Sequence, residues 1–223
     1  IFRKRTDIHY PKPSVVIITQ ATELGTVYRA SEIAAIGKSC RDLGLSLHMD
    51  GARFANGLVS LGASPAEMTW KAGVNVLSLG GTKNGLPVGD AVVFFDRQLA
   101  VDFDYRCKQA GQLASKMRFL SAPWLGILSN DVWLENARTA NQMAARMEER
   151  LSSIQGVEIL YPREANALFA KLPAAAHERM KEIGWRYYNF IAKGGARLMC
   201  SWSTTEEDVD AFAADLAGAV PTS

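Results

Sequence analysis

Short, unbroken apolar runs alternate with segments of helical period over the first half of the chain. Ser14 to Thr19 reads Ser-Val-Val-Ile-Ile-Thr after Pro11 and Pro13, a β-branched run that predicts a strand covered on both faces. Ser31 to Leu43 has helical spacing, with Ser31 as the expected N-cap and Gly44 as the stop. Leu45 to Met49 then predicts a second strand, and a helix is expected from Ala63 or Pro65 to Lys71. Val74 to Leu79 and Ala91 to Phe95 supply two more strands, the first ending in Gly80-Gly81 and the second entered through Gly89-Asp90. Strand, helix, strand, helix, strand is the order of a mostly parallel sheet with right-handed crossovers.

Past Asp96 the texture changes. A basic, polar stretch from Arg106 to Arg118 leads to Pro123, and a long amphipathic helix is expected from about Asp131 to Ser153. Strand candidates at Val157 to Leu160, Ala167 to Leu172 and Ala196 to Trp202, separated by helices, predict a small α+β unit. A helix from Thr205 to Ala217 closes it, with a hydroxyl cap and the acidic first turn Glu206-Glu207-Asp208. The expected division is a large domain over residues 1–125 and a small C-terminal one over 126–223.

Composition narrows the class. The chain has 223 residues, 48% of them hydrophobic and 22% charged, enough to bury a real core. A net charge of +2 is too balanced to predict a nucleic-acid partner. Cys40, Cys107 and Cys200 are odd in number and widely spaced, which predicts reduced thiols rather than a zinc site or a disulfide frame. No apolar run approaches the roughly 20 residues that span a bilayer, and Ile1-Phe-Arg-Lys-Arg5 has no secretory apolar stretch behind it. A soluble, cytoplasmic protein is expected, with no membrane partner. The first strand follows Ile1 abruptly, which raises the expectation that an N-terminal part is missing and that this strand leaves a bare edge.

In an open parallel sheet, ligands collect at the carboxyl ends of the strands. The loops there hold Thr22-Glu23-Leu24-Gly25, His48-Met49-Asp50-Gly51-Ala52-Arg53 and Gly80-Gly81-Thr82-Lys83-Asn84-Gly85. Alone, Asp50 reads equally well as a helix cap or turn residue, and Lys83 as a surface lysine. Together they meet the needs of pyridoxal phosphate (PLP): a lysine for the Schiff base, and a carboxylate that keeps the pyridine nitrogen protonated. Glycines around Lys83 are expected to let the backbone approach the cofactor. A nucleotide phosphate loop is excluded, because Lys83 precedes Asn84 rather than Ser or Thr and the required spacer is absent. His48 shares a strand face with Asp50 and is read as a core or supporting histidine; His9 and His177 receive no role.

The segments His48 to Arg53 and Gly80 to Gly85, with Thr22-Glu-Leu-Gly-Thr-Val-Tyr28 and Ser115-Lys-Met-Arg-Phe119, resemble the low-specificity threonine aldolases. These belong to the beta-eliminating lyase/threonine aldolase branch of the aminotransferase-like (fold type I) PLP enzymes. The resemblance implies an α/β, PLP-binding large domain with a mostly parallel sheet, followed by a smaller α+β domain. It implies that Lys83 carries the cofactor, that Asp50 contacts the pyridine nitrogen, and that Arg53 lies near the cofactor's phenolic oxygen and the substrate carboxylate. Arg197, in Gly194-Gly-Ala-Arg-Leu-Met, is implied as a second carboxylate-binding arginine, a task suited to its planar fork. Lys108 is implied to reach the cofactor phosphate of its own or a neighbouring subunit.

The implied reaction is cleavage of a β-hydroxy-α-amino acid such as threonine to glycine and an aldehyde, in a cytoplasmic homo-oligomer, dimer or tetramer. Several relatives carry a histidine where Glu23 stands here. Glu23 is therefore read as the base, acting directly or through water, or as a brace for its loop. Two other outcomes are held open. One is a PLP-dependent β-eliminating lyase, making pyruvate and ammonia, or an aminotransferase; the other is an incomplete fragment with a structural or interaction role.

Overall fold

The structure is a computed structural model that describes residues 7–191 and 195–220. Ile1 to Arg5 and Gly194, each read above from sequence, lie outside the described residues. The chain begins with β1 (Val15–Thr19), α1 (Ala30–Asp42) and β2 (Ser46–Gly51). α1 starts one residue before the Ser31 expected as its cap. The Glu32 carboxylate reaches back to accept the Arg29 N–H at 2.7 Å, which makes Arg29 the first capped position. Gly44, at φ +67°, provides the expected stop.

Next come α2 (Phe54–Leu61), α3 (Pro65–Met68), β3 (Val76–Gly80) and β4 (Asp90–Phe94). α2 was not expected from the pattern. Phe54, Ala55, Asn56, Gly57 and Leu58 are all buried, so the helix is enclosed and lacks a polar face to mark its period. α3 has the capping box of Ser64 and Glu67, and the helix expected as far as Lys71 ends in a tighter turn over Trp70–Ala72.

β1, β2 and β3 are parallel neighbours, so their carboxyl ends share one edge of the sheet. β4 runs antiparallel to β3. Residues 81–89 are too few for a crossover, which takes about a dozen residues or more.

The second half contains α4 (Phe103–Gln109), α5 (Arg118–Leu128), α6 (Val132–Ser152), β5 (Glu158–Ile159), β6 (Ala167–Lys171), α7 (Ala174–Glu182), β7 (Tyr188–Ile191), β8 (Gly195–Met199) and α8 (Glu206–Ala219). The second sheet has the order β5-β6-β8-β7 and is antiparallel throughout. α8 is capped by Thr205 and Asp208, as its first turn predicts.

Two cores follow from these sheets. Ile33, Leu47, Met49, Phe54, Leu58, Met68 and Leu77 pack on one face of the first sheet. Leu151, Leu168, Met180, Leu198, Val209, Phe212 and Leu216 fill the second. α6 serves both, packing on α2 and on α8. Its alanines at 137, 140 and 144 are buried, which lets neighbouring backbones come close. No helix among the described residues is long and apolar enough to cross a membrane.

Candidate functional site

The site grows from the shared carboxyl edge of β1, β2 and β3. Asp50 pairs with Thr19 of β1 and Ser78 of β3, one residue before β2 ends. Its Oδ1 accepts the Ala52 N–H at 2.9 Å, the turn role that sequence alone also allowed. Among the described residues its Oδ2 has no hydrogen bond, so it stays available to a donor. His48 lies two residues earlier on the same strand face, and its Nε2 bonds the Ser78 hydroxyl at 2.9 Å.

Arg53 follows directly, with its N–H donating to the Gln20 carbonyl beyond β1 at 3.3 Å. Burial, and then the Arg197 guanidinium, hold Arg53 below the ordinary arginine range, while Glu23 and Asp50 pull the other way. Three residues read separately from the sequence, Glu23, Asp50 and Arg197, are thus close enough for their charges to register on Arg53. The Arg53 Nε is buried without a hydrogen-bond partner among the described residues. A buried donor left open in this way fits an anionic or polar ligand. Arg197 stands on β8 between the buried Ala196 and Leu198, facing away from their core, opposite Phe169 of β6.

Lys83 sits in the tight turn Thr82–Asn84 just after β3, on the strand next to that of Asp50, and it is exposed. Its neighbour Asn84 anchors the turn. The Asn84 amide donates to the Trp133 carbonyl at 2.8 Å, and Asn136 donates to the Asn84 carbonyl at 2.9 Å.

The glycines around Lys83 answer to the fold before any ligand. A Cβ at Gly80 would stand 2.7 Å from the Ala52 Cα, and one at Gly81 2.8 Å from the Gly89 carbonyl. Lys108 is exposed on α4, and no hydrogen bond or ion pair joins it to Arg53, Asp50, Glu23 or Arg197 among the described residues. The charges of Glu23, Asp50 and Arg197 thus register on Arg53, Lys83 follows the neighbouring strand at the same edge, and Lys108 lies on α4.

Sequence reading missed the polar supports: Gln20, Asn84, Asn136 and the Asn56–Asn141 pair. Asn141 donates to the Asn56 carbonyl at 3.0 Å and Asn56 returns a bond to the Asn141 side chain at 3.0 Å, which joins α2 to α6. Asn56 inside an otherwise apolar run was the available signal, since a buried amide requires partners.

The donor set fits PLP. An exposed lysine at a strand end, a carboxylate with a free oxygen on the next strand and an arginine with an open buried donor match its aldehyde, its ring nitrogen and its anionic surroundings. Among the described residues no group of His, Cys, Asp and Glu could hold a metal ion.

Fold and edge together define an aminotransferase-like, fold type I arrangement. A profile of the beta-eliminating lyase family matches residues 1–175, and the chain belongs to that family. It is 59% identical over 213 residues to the low specificity L-threonine aldolases of a Pseudomonas species and of Pseudomonas aeruginosa, covering 96% of this chain and 62% of each relative. The solved structure of Leishmania major threonine aldolase matches with a TM-score of 0.88 at 26% identity, over 96% of this chain and 64% of that one. The chain therefore spans less than two thirds of the length of these relatives.

Proposed function

We propose that a protein of the relatives' full length carrying this chain performs PLP-dependent aldol cleavage of threonine and related β-hydroxy-α-amino acids, giving glycine and an aldehyde. One observation carries the reading: the charges of Glu23, Asp50 and, from the second sheet, Arg197 register on Arg53 just beyond β2, and Lys83 follows the neighbouring parallel strand β3. When bound, PLP supplies a protonated ring that accepts the electrons of the broken carbon–carbon bond.

The chain's residues do the rest. Lys83 holds the cofactor covalently, and Asp50 keeps its ring nitrogen protonated. Arg53 and Arg197 grip the substrate carboxylate, which orients the Cα–Cβ bond for cleavage. Glu23 takes the β-hydroxyl proton, directly or through water. Lys108 is assigned to the cofactor phosphate, of its own or a neighbouring subunit.

The same reading includes a cytoplasmic homo-oligomer and a division into a large domain over 1–125 and a small one over 126–223, supported by the two cores. Product analysis tests the reaction. Aldol cleavage of threonine releases glycine and acetaldehyde in equal amounts, whereas β-elimination releases a 2-oxo acid and ammonia. A 2-oxo acid without glycine would replace this proposal with the eliminating one.

A further inference from the structure

The loop from Thr22 to Tyr28 carries Glu23 at its exposed tip. Its stem closes on itself. The Gln20 amide donates to the Tyr28 carbonyl and accepts the Tyr28 N–H, both at 2.9 Å, and Gln20 is fully buried. Thr22 and Thr26 bond through both backbone, at 2.9 Å, and hydroxyls, at 2.8 Å. These contacts set the loop's shape but not its placement against the second sheet, where Arg197 resides.

Beside the packing of Ala165 on Ala21 and Val27, Glu164 of the segment before β6 makes the polar ties that place the loop. Glu164 accepts the Val27 N–H on Oε2 at 2.8 Å, and its Oε1 lies 3.6 Å from the Arg29 guanidinium. Its own N–H donates to the Gly25 carbonyl at 3.2 Å, and its carbonyl accepts the Ser60 hydroxyl of α2. Gly25 is then seated on β6. A Cβ there would stand 3.1 Å from the Ala167 carbonyl and 3.3 Å from the Phe169 ring, and Phe169 is the cross-strand partner of Arg197.

We propose that Glu164 is a positioning residue for aldol cleavage, holding the loop that bears Glu23 in fixed relation to Arg197. This rests on the reading of Glu23 as the base. A carboxylate accepting a backbone N–H is a strong, directional tie, and a base must sit within hydrogen-bond reach of the proton it removes. Glu164 itself touches neither substrate nor cofactor in this account.

The test uses the holoenzyme of full length and measures kcat and KM for threonine in Glu164→Ala, Glu164→Gln, Glu23→Gln and the double variant Glu23→Gln/Glu164→Ala. Misplacing a reacting group by about 1 Å costs roughly 100-fold, so Glu164→Ala is expected to lower kcat by about 10- to 100-fold. KM should move far less and the absorbance of the bound cofactor should not change. Glu164→Gln keeps an oxygen for the Val27 N–H and loses only its charge toward a largely exposed arginine, a change of about 3-fold or less.

In the double variant the Glu164 change should add nothing to the loss from Glu23→Gln. Should Glu164→Ala fail to fold, Glu164→Asp, which retracts the carboxylate by one methylene, is expected to show the same kcat loss. A slow Glu23→Gln enzyme with wild-type rates in the Glu164 variants, or with fully additive losses, overturns the positioning role alone. Wild-type kcat in Glu23→Gln overturns the reading of Glu23, and the positioning proposal with it.

Discussion

The two sheets of this molecule are finished to different degrees. In the second, Ala167 to Ala170 are buried on both faces of β6, and Leu168, Leu198 and Leu216 are at most 4% exposed. In the first, one face is packed, while the other shows Val15 at 46%, Ile17 at 61% and Val92 at 42% exposure. His48, Asp50 and Ser78 lie on that same open face by strand register. The well-packed sheet contributes a single proposed ligand-binding side chain, Arg197, whereas the strand ends of the open sheet carry Glu23, Asp50, Arg53 and Lys83. The packed sheet thus contributes one arginine from between buried apolar neighbours, and the other candidate side chains come from the loops that follow parallel strands.

Three changes probe this contrast, from the largest effect to the smallest. Leu198→Ala removes a side chain from the centre of the second core and should cost about 2–5 kcal/mol in urea unfolding. A loss below about 1 kcal/mol would mean that this core can collapse around the gap, contrary to its packing.

The second change is acid. Hydrogen bonds from Arg146 and then Arg150 hold the Asp210 carboxyl down to about 2, against an ordinary value of 3.8, and tie α6 to α8. A depressed folded-state value means that the stabilisation is fully present above the unfolded value and is lost as pH falls through the folded one. Stability should therefore decline from just above pH 4 toward pH 2, and Asp210→Asn should flatten that part of the profile. An unchanged acid limb would remove Asp210 from the account of α6–α8 docking.

The third is Ile17→Thr on the open face, expected to change stability by no more than about 0.5 kcal/mol. A loss of about 2 kcal/mol, together with a melting temperature that depends on protein concentration, would show that a second copy covers this face.

Legibility in the sequence followed the same physical division. β1, β2 and β3 were readable as apolar runs, although β1, expected to be covered on both faces, exposes Val15 and Ile17 on one; α6 was readable by its amphipathic period and α8 by its cap and acidic first turn. α2 was hidden by being buried nearly all round, and α5 by the polar stretch before it and Pro123 within it. β7 escaped notice because its partner, β8, binds it through an irregular register.

Glu23, Asp50, Arg53 and Lys83 were legible as strand-end residues, and Arg197 as a charge inside an apolar strand. Glu164 was not, since it acts on the Val27 backbone from 137 residues away and shows no side-chain motif. Gln20, Asn84 and Asn136 were missed for the same reason: their partners are backbone atoms, and backbone atoms leave no pattern in a sequence.

The most direct test of the central claim is to add PLP to the protein, reduce it with borohydride and map the pyridoxyl group by mass spectrometry, both with these 223 residues and with a protein of the relatives' full length that carries them. The account predicts an adduct on Lys83 that Lys83→Ala abolishes. An adduct on another lysine, or none at full length, would contradict it.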